Sequence, residues 1–146
     1  MSFDDLPPNW SDLPLDTPGL ASDLADLFVG HADREGGCVA FLLAGPDLTL
    51  AQPVVIGDVP ADADPAVIAP FLAHFGPDLG EAVSGLVFVR GRPGSALLTD
   101  SDRQWHETVL EACRTSGLRL VGAFLATAST VRSFPAPLMA ADELAS

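Results

Sequence analysis

The stretch GLVFVRGRPGSALLTDSDRQWHETVLEACRTSGLRLVGAFL, residues 85–125, decides the fold. It opens on Gly85-Leu86-Val87-Phe88-Val89, a short β-branched and aromatic run that reads as a strand. Arg90–Leu98 follows as an irregular loop rich in glycine and proline. From about Asp100 to Ser116 the apolar positions Trp105, Val109, Ala112 and Cys113 keep to one helical face, and Gly117 is a natural C-terminal stop. Leu118–Leu125 then returns as a strand. Strand, helix and strand make a crossover unit, so the two strands are expected to be parallel.

Upstream of this unit, Cys38–Leu43 is a short apolar run consistent with a buried strand. Gly45-Pro46-Asp47 turns the chain, and Leu48–Ile56 reads as the antiparallel return strand of a hairpin. A polar loop at Pro60–Pro65 leads into a predicted helix from Ala66 through Phe71, Leu72 and Phe75, kinked at Pro70. Nearer the N-terminus, Thr17-Pro18 opens a first helix with proline at its first position, and Leu20, Leu24, Leu27 and Phe28 give it an apolar stripe. That pattern fades at Gly30, and Glu35-Gly36-Gly37 reads as a turn. Val131–Phe134 is a last short strand. Hairpin plus crossover unit predict a mixed sheet with helices packed on it, an α/β fold in the form of a three-layer α/β/α sandwich.

The domain plan has three parts: an extended arm over 1–18, one α/β domain over 19–138, and a flexible acidic tail over 139–146. Prolines at 7, 8, 14 and 18 forbid a helix in the arm, while Phe3, Leu6, Trp10, Leu13 and Leu15 give it apolar teeth. Such an arm either packs across its own domain or engages a partner through Trp10.

With 146 residues, 48% of them hydrophobic, the chain is long enough to bury a core. Its 20 acidic residues face only 7 basic ones, all arginine, for a net charge of −13. That balance opposes binding along a nucleic-acid backbone, which needs clustered cations, and leaves a protein partner or a second copy of the chain as the expected binding partners. The bias suits an Ala/Asp/Gly/Pro-rich, lysine-poor bacterial genome. Cys38 and Cys113 lack ligand-like spacing and sit in apolar segments, as buried free thiols do. The acidic, proline-broken N-terminus is unlike a signal peptide, and no apolar run reaches ~18 residues, so a cytoplasmic location without a membrane span is expected.

Ligand sites in open α/β sheets lie beyond the carboxyl ends of strands, near helix N-termini. Here that place is Arg90–Asp102, with Arg90, Arg92, Ser95, Thr99 and Asp102 as the candidate residues. At this loop the sequence resembles the RadC branch of the JAB/MPN (JAMM) metalloprotease-like fold, whose motif is histidine-x-histidine-proline, a short loop, then serine-x-x-aspartate opening a helix. In that family the two histidines and the aspartate hold zinc, and the serine supports the bound water or oxyanion. With one residue fewer in the loop, Arg90 and Arg92 stand at the histidine positions, Pro93 and Gly94-Ser95 follow, and Thr99-x-x-Asp102 stands for serine-x-x-aspartate, with Arg103 next. Ser133-Phe134 resembles a serine-phenylalanine pair near the family's C-terminus. The place of its upstream glutamate falls at or close to Cys38, with Glu35 the nearest acid. The resemblance covers about residues 20–138.

Guanidinium stays protonated and has no lone pair to give, so neither Arg90 nor Arg92 can ligate a metal. Of the three ligands only Asp102 is left, and no metal or other cofactor is expected. His106, four residues after Asp102 on the same helical face, is the one histidine whose spacing pairs with it; His31 and His74 have no such spacing. Thr99-x-x-Asp102 also has the form of a helix-capping box. Arg90 and Arg92 alternate about Gly91, so both can project to one side and form ion pairs with Asp100 and Asp102 where relatives hold a metal. Alternatively, two arginines beside a helix N-terminus suit a phosphate or carboxylate. Three functions follow: a catalytically inactive JAB/RadC-like domain acting by protein–protein interaction, a binder or enzyme for an anionic small molecule at Arg90 and Arg92, or a metal-dependent (iso)peptidase with an atypical site.

Overall fold

The computed structural model describes residues 10–60, 63–68, 70, 83–128 and 130–134. Over these the protein is mixed α/β, with a five-stranded mixed sheet and three helices. The elements are α1 (Leu20–Phe28), α2 (His31–Gly36), β1 (Cys38–Ala44), β2 (Leu50–Gly57), β3 (Gly85–Gly91), α3 (Asp100–Ser116), β4 (Arg119–Ala126) and β5 (Val131–Ser133). Short 3-10 turns lie at Trp10–Asp12 and Pro65–Ile68.

The sheet order is β2-β1-β3-β4-β5. β1 and β2 form the expected antiparallel hairpin, and β3 and β4 pair in parallel across the α3 crossover, as residues 85–125 predict. The hairpin joins the crossover unit through an antiparallel β1–β3 ladder that sets Phe41 opposite Phe88 and Val39 opposite Arg90. β5 closes one edge with three residues, Ser133 opposite Phe124. At the other edge Pro53 stands in β2 opposite Leu42, a placement tolerated because an edge strand needs backbone donors on one side only.

β1 and β3 are buried on both faces, which is why they read as unbroken apolar runs. Alternation divides their side chains between two cores. Val39, Phe41, Leu43, Leu86 and Phe88 join Trp105, Val109, Ala112 and Cys113 of α3. Cys38, Ala40, Leu42, Val87 and Val89 join Leu20, Leu24 and Ala25 of α1 together with Val29 and Leu15. Phe88 is the hub of the first core, with ring centroids 5.6 Å from Phe41, 6.3 Å from Trp105 and 6.4 Å from Phe134. Each such ring contributes about 1.5–3 kcal/mol by leaving water, and aromatic geometry adds to this.

The arm, where described, packs on its own domain. Leu15 is buried and donates its N–H to the Leu48 carbonyl at 2.8 Å, Pro14 bridges to Thr49, and Trp10 meets Phe28 edge-on.

Four local expectations change. α1 starts at Leu20 rather than at Pro18, because Thr17 accepts from Leu20 N–H in a tight turn and Gly19, at φ 81, reverses the backbone just before the helix. The turn expected near Glu35 is instead the end of α2, a helix polar all round and therefore without apolar period. The helix expected from Ala66 to Phe75 begins as a 3-10 turn, in which Asp64 accepts from Ala66 N–H and Val67 N–H; most of the remainder, with His74, lies outside the described residues, as does the tail. Finally, Arg90 and Gly91 belong to β3, not to the loop, since both pair with β1 on one side and β4 on the other.

Gly91 has no room for a side chain: a Cβ there would sit 2.6 Å from Cys38 Sγ. Gly91→Ala should therefore cost about 1–3 kcal/mol in urea unfolding, and a Cys38→Ala background should relieve part of that loss. Burial pushes the Cys38 thiol up to about 11 and the Cys113 thiol up to about 12. Both should resist a disulfide reagent at pH 8 in the native protein and react once it is unfolded.

Candidate functional site

Three elements converge at the carboxyl end of β3. Phe88 faces α3, so by alternation Arg90 does as well, and its guanidinium carbon lies 5.7 Å from the Trp105 ring centroid. Arg92 stands just past the strand, held by its own N–H on the Ala126 carbonyl. Asp102 is the third residue of α3. Thr99 accepts from Asp102 N–H at 3.1 Å, and the Asp102 carboxylate accepts from Thr99 N–H at 2.9 Å, a complete capping box.

Both arginines meet this carboxylate. Arg90 Nη1 donates to Oδ1 at 3.0 Å; Arg92 Nε donates to Oδ1 at 2.9 Å and Nη2 to Oδ2 at 2.6 Å, a bidentate fork. With Thr99 N–H, four donors fill the roughly four acceptor directions of a carboxylate. Asp102 is 0% exposed, Arg90 2% and Arg92 6%. Arg92 also donates Nη1 to the Pro93 and Ser95 carbonyls and Nη2 to the Leu97 carbonyl, so all five of its N–H groups serve the chain itself. Arg90 Nη1 further reaches Ser101 Oγ.

Burial alone would raise the Asp102 pKa, yet the Arg92 hydrogen bonds, the Thr99 N–H and the charges of both arginines outweigh it and hold the carboxyl below its ordinary value. Arg90 moves down, chiefly through burial, helped by repulsion from Arg92 and opposed by Asp102. Arg92 moves up, because its hydrogen bonds to Asp102 exceed the cost of burial.

The sequence candidates thus divide. Arg90, Arg92, Thr99 and Asp102 come together as one hydrogen-bonded unit. Ser95 contributes its carbonyl to Arg92, while its hydroxyl accepts from Leu97 N–H and faces out. Asp100, the other acid considered for the arginines, is exposed and pairs with Arg103 instead. His106 packs on Phe134 with ring centroids 4.9 Å apart, and burial depresses its pKa against the pull of Glu107. Glu35 and His31 lie exposed on α2. Among the described residues, no three His, Cys, Asp or Glu side chains are grouped to hold a metal ion, and no helix is long and apolar enough to cross a membrane.

Two contributors were missed from sequence. Trp105 lies three residues after Asp102, a spacing that puts the two on one helical face and could have linked the ring to the site. Arg34 gave no such signal. Its buried guanidinium donates to the Val29 carbonyl at 2.8 Å, the Thr127 carbonyl at 3.0 Å and Asp26 Oδ1 at 2.9 Å, tying α1 and α2 to the end of β4. The sequence matches no protein-family model and no curated protein.

Removing the carboxylate leaves two buried guanidinium groups facing each other. Asp102→Asn should destabilise the protein by about 3–5 kcal/mol. Because the folded pKa of Asp102 is depressed, its contribution is complete above the unfolded value and fades as pH falls through the folded one. Urea midpoints measured from pH 7 down to pH 2 should show the gap between wild type and Asp102→Asn shrinking only below about pH 4.

Proposed function

We propose that this chain is a non-catalytic JAB/MPN-type domain of the RadC-like kind, built as a three-layer α/β/α sandwich, that acts by binding protein. The observation that carries the proposal is the buried Asp102 carboxylate, whose acceptor directions are filled by Arg90, Arg92 and Thr99. By the resemblance, this aspartate is the one metal ligand left to the chain. To serve a metal it would have to release both arginines and leave their charges buried without a counter-ion, at a cost of several kcal/mol. The guanidinium groups occupy the histidine positions and offer no lone pair.

The same saturation weighs against an anionic ligand. Arg92 could reach a phosphate only by giving up Asp102 or the carbonyls of its own loop. Binding at protein surfaces then fits the net charge of −13, which disfavours nucleic acid, and accords with a cytoplasmic setting.

Metal analysis of the purified protein, with melting curves in zinc, phosphate and nucleotide, tests the proposal. The expected result is no stoichiometric metal and no saturable rise in melting temperature with any of them. One equivalent of tightly bound zinc would overturn it, as would a phosphate-dependent rise that Arg92→Ala abolishes.

A further inference from the structure

The loop from Pro93 to Leu98 carries the most exposed large apolar side chain among the described residues, Leu97 at 74%. It is also held from several sides. Arg92 takes the carbonyls of Pro93, Ser95 and Leu97, Ser95 Oγ accepts from Leu97 N–H, and Arg132 of β5 donates to the Ala96 carbonyl at 3.0 Å. Leu97 is therefore presented with both its backbone N–H and its carbonyl tied down, so little ordering is left for an association to impose.

The charges around it differ from those of the chain as a whole. No acid occurs from residue 91 to residue 99. At the loop's end Asp100 is 92% exposed beside Arg103, itself 55% exposed. Arg103, Arg114 and Arg119 each have a carboxylate within 4 Å; Arg132 has none among the described residues. Two copies of a chain carrying −13 repel one another over most approaches. Among the described residues the loop itself carries no acid, and the exposed Asp100, Arg103 and Arg132 beside it put both signs on one patch, so repulsion between copies is weaker here than over the rest of the surface. A two-fold interface requires such self-complementarity.

We infer that the Pro93–Leu98 loop, with Asp100 and Arg132, is the contact surface of a two-fold dimer of this chain, in which Leu97 packs at the centre and Arg132 of each copy faces Asp100 of the other. The inference rests on the protein-binding function and names a second copy as the partner. One exposed leucine and one cross-copy ion pair from each chain support weak association, with Kd on the order of 100 μM.

Sedimentation equilibrium of the full chain from about 10 μM to 1 mM tests it. Wild type should shift from monomer to dimer across that range. Leu97→Asp and Arg132→Glu, both surface changes whose folding is checked by circular dichroism, should each stay monomeric, as should Asp100→Arg. An equimolar mixture of Arg132→Glu and Asp100→Arg should recover the dimer, because both cross-copy pairs are then again opposite in sign. A wild type that is monomeric throughout, a dimer indifferent to Leu97→Asp, or a mixture that stays monomeric would overturn the inference. Any of these would leave the non-catalytic assignment untouched, since that stands on metal content and ligand-dependent melting.

Discussion

A carboxylate drawn out of water at the first turn of a helix persists only where something charged meets it, and Asp102 is met from a strand, from a loop and from its own cap. Each of these contacts fixes a different part of the molecule. Arg90 sets how β3 ends against α3, Arg92 gathers three carbonyls of the following loop while it holds Asp102, and Thr99 starts the helix. A lone buried aspartate would cost several kcal/mol, so none of the three can be removed without putting the others at risk. The chemistry is that of a structural joint at the position where a ligand site would lie in an open α/β sheet.

The rest of the fold supports that joint from both sides of the sheet. α3 covers one face through Trp105, Val109 and Cys113, and α1 covers the other through Leu20, Leu24 and Ala25. Trp105 belongs to both the apolar core and the charged cluster, packing on Phe88 and lying beneath Arg90. Gly91 leaves no room for a side chain beside Cys38 Sγ, so the strand end carrying the arginines is closely packed against the start of β1.

Much of this was legible beforehand, for identifiable reasons. The hairpin and the parallel crossover followed from apolar runs of strand length separated by a strongly periodic helix. The capping box followed from Thr99 and Asp102 at their required spacing. That Arg90 and Arg92 could both turn toward the acids at the start of the helix followed from alternation about Gly91, but spacing alone left Asp100 and an anionic ligand open as partners beside Asp102. Burial of Asp102 and exposure of Asp100 separate them. Other features left no local trace. α2 has no apolar stripe, so periodicity could not find it, and it is held by an arginine whose acceptors lie elsewhere in the chain. The start of α1 was misplaced because proline at a helix's first position and proline in the preceding turn look alike; only the left-handed Gly19 separates them. Arg90 looked like loop because a charged residue rarely continues a buried strand.

The bond from Arg34 to the Thr127 carbonyl spans 93 positions of the chain. During synthesis the α1–α2 segment and the β1–β2 hairpin emerge long before β4, and β1 must wait for β3 to cover its open side. Until residue 127 has left the ribosome, the Arg34 guanidinium lacks one of its acceptors and the second core lacks its far wall. The domain therefore has no self-sufficient N-terminal half, and its final structure is reached late and as a whole, in the manner of chains dominated by distant contacts.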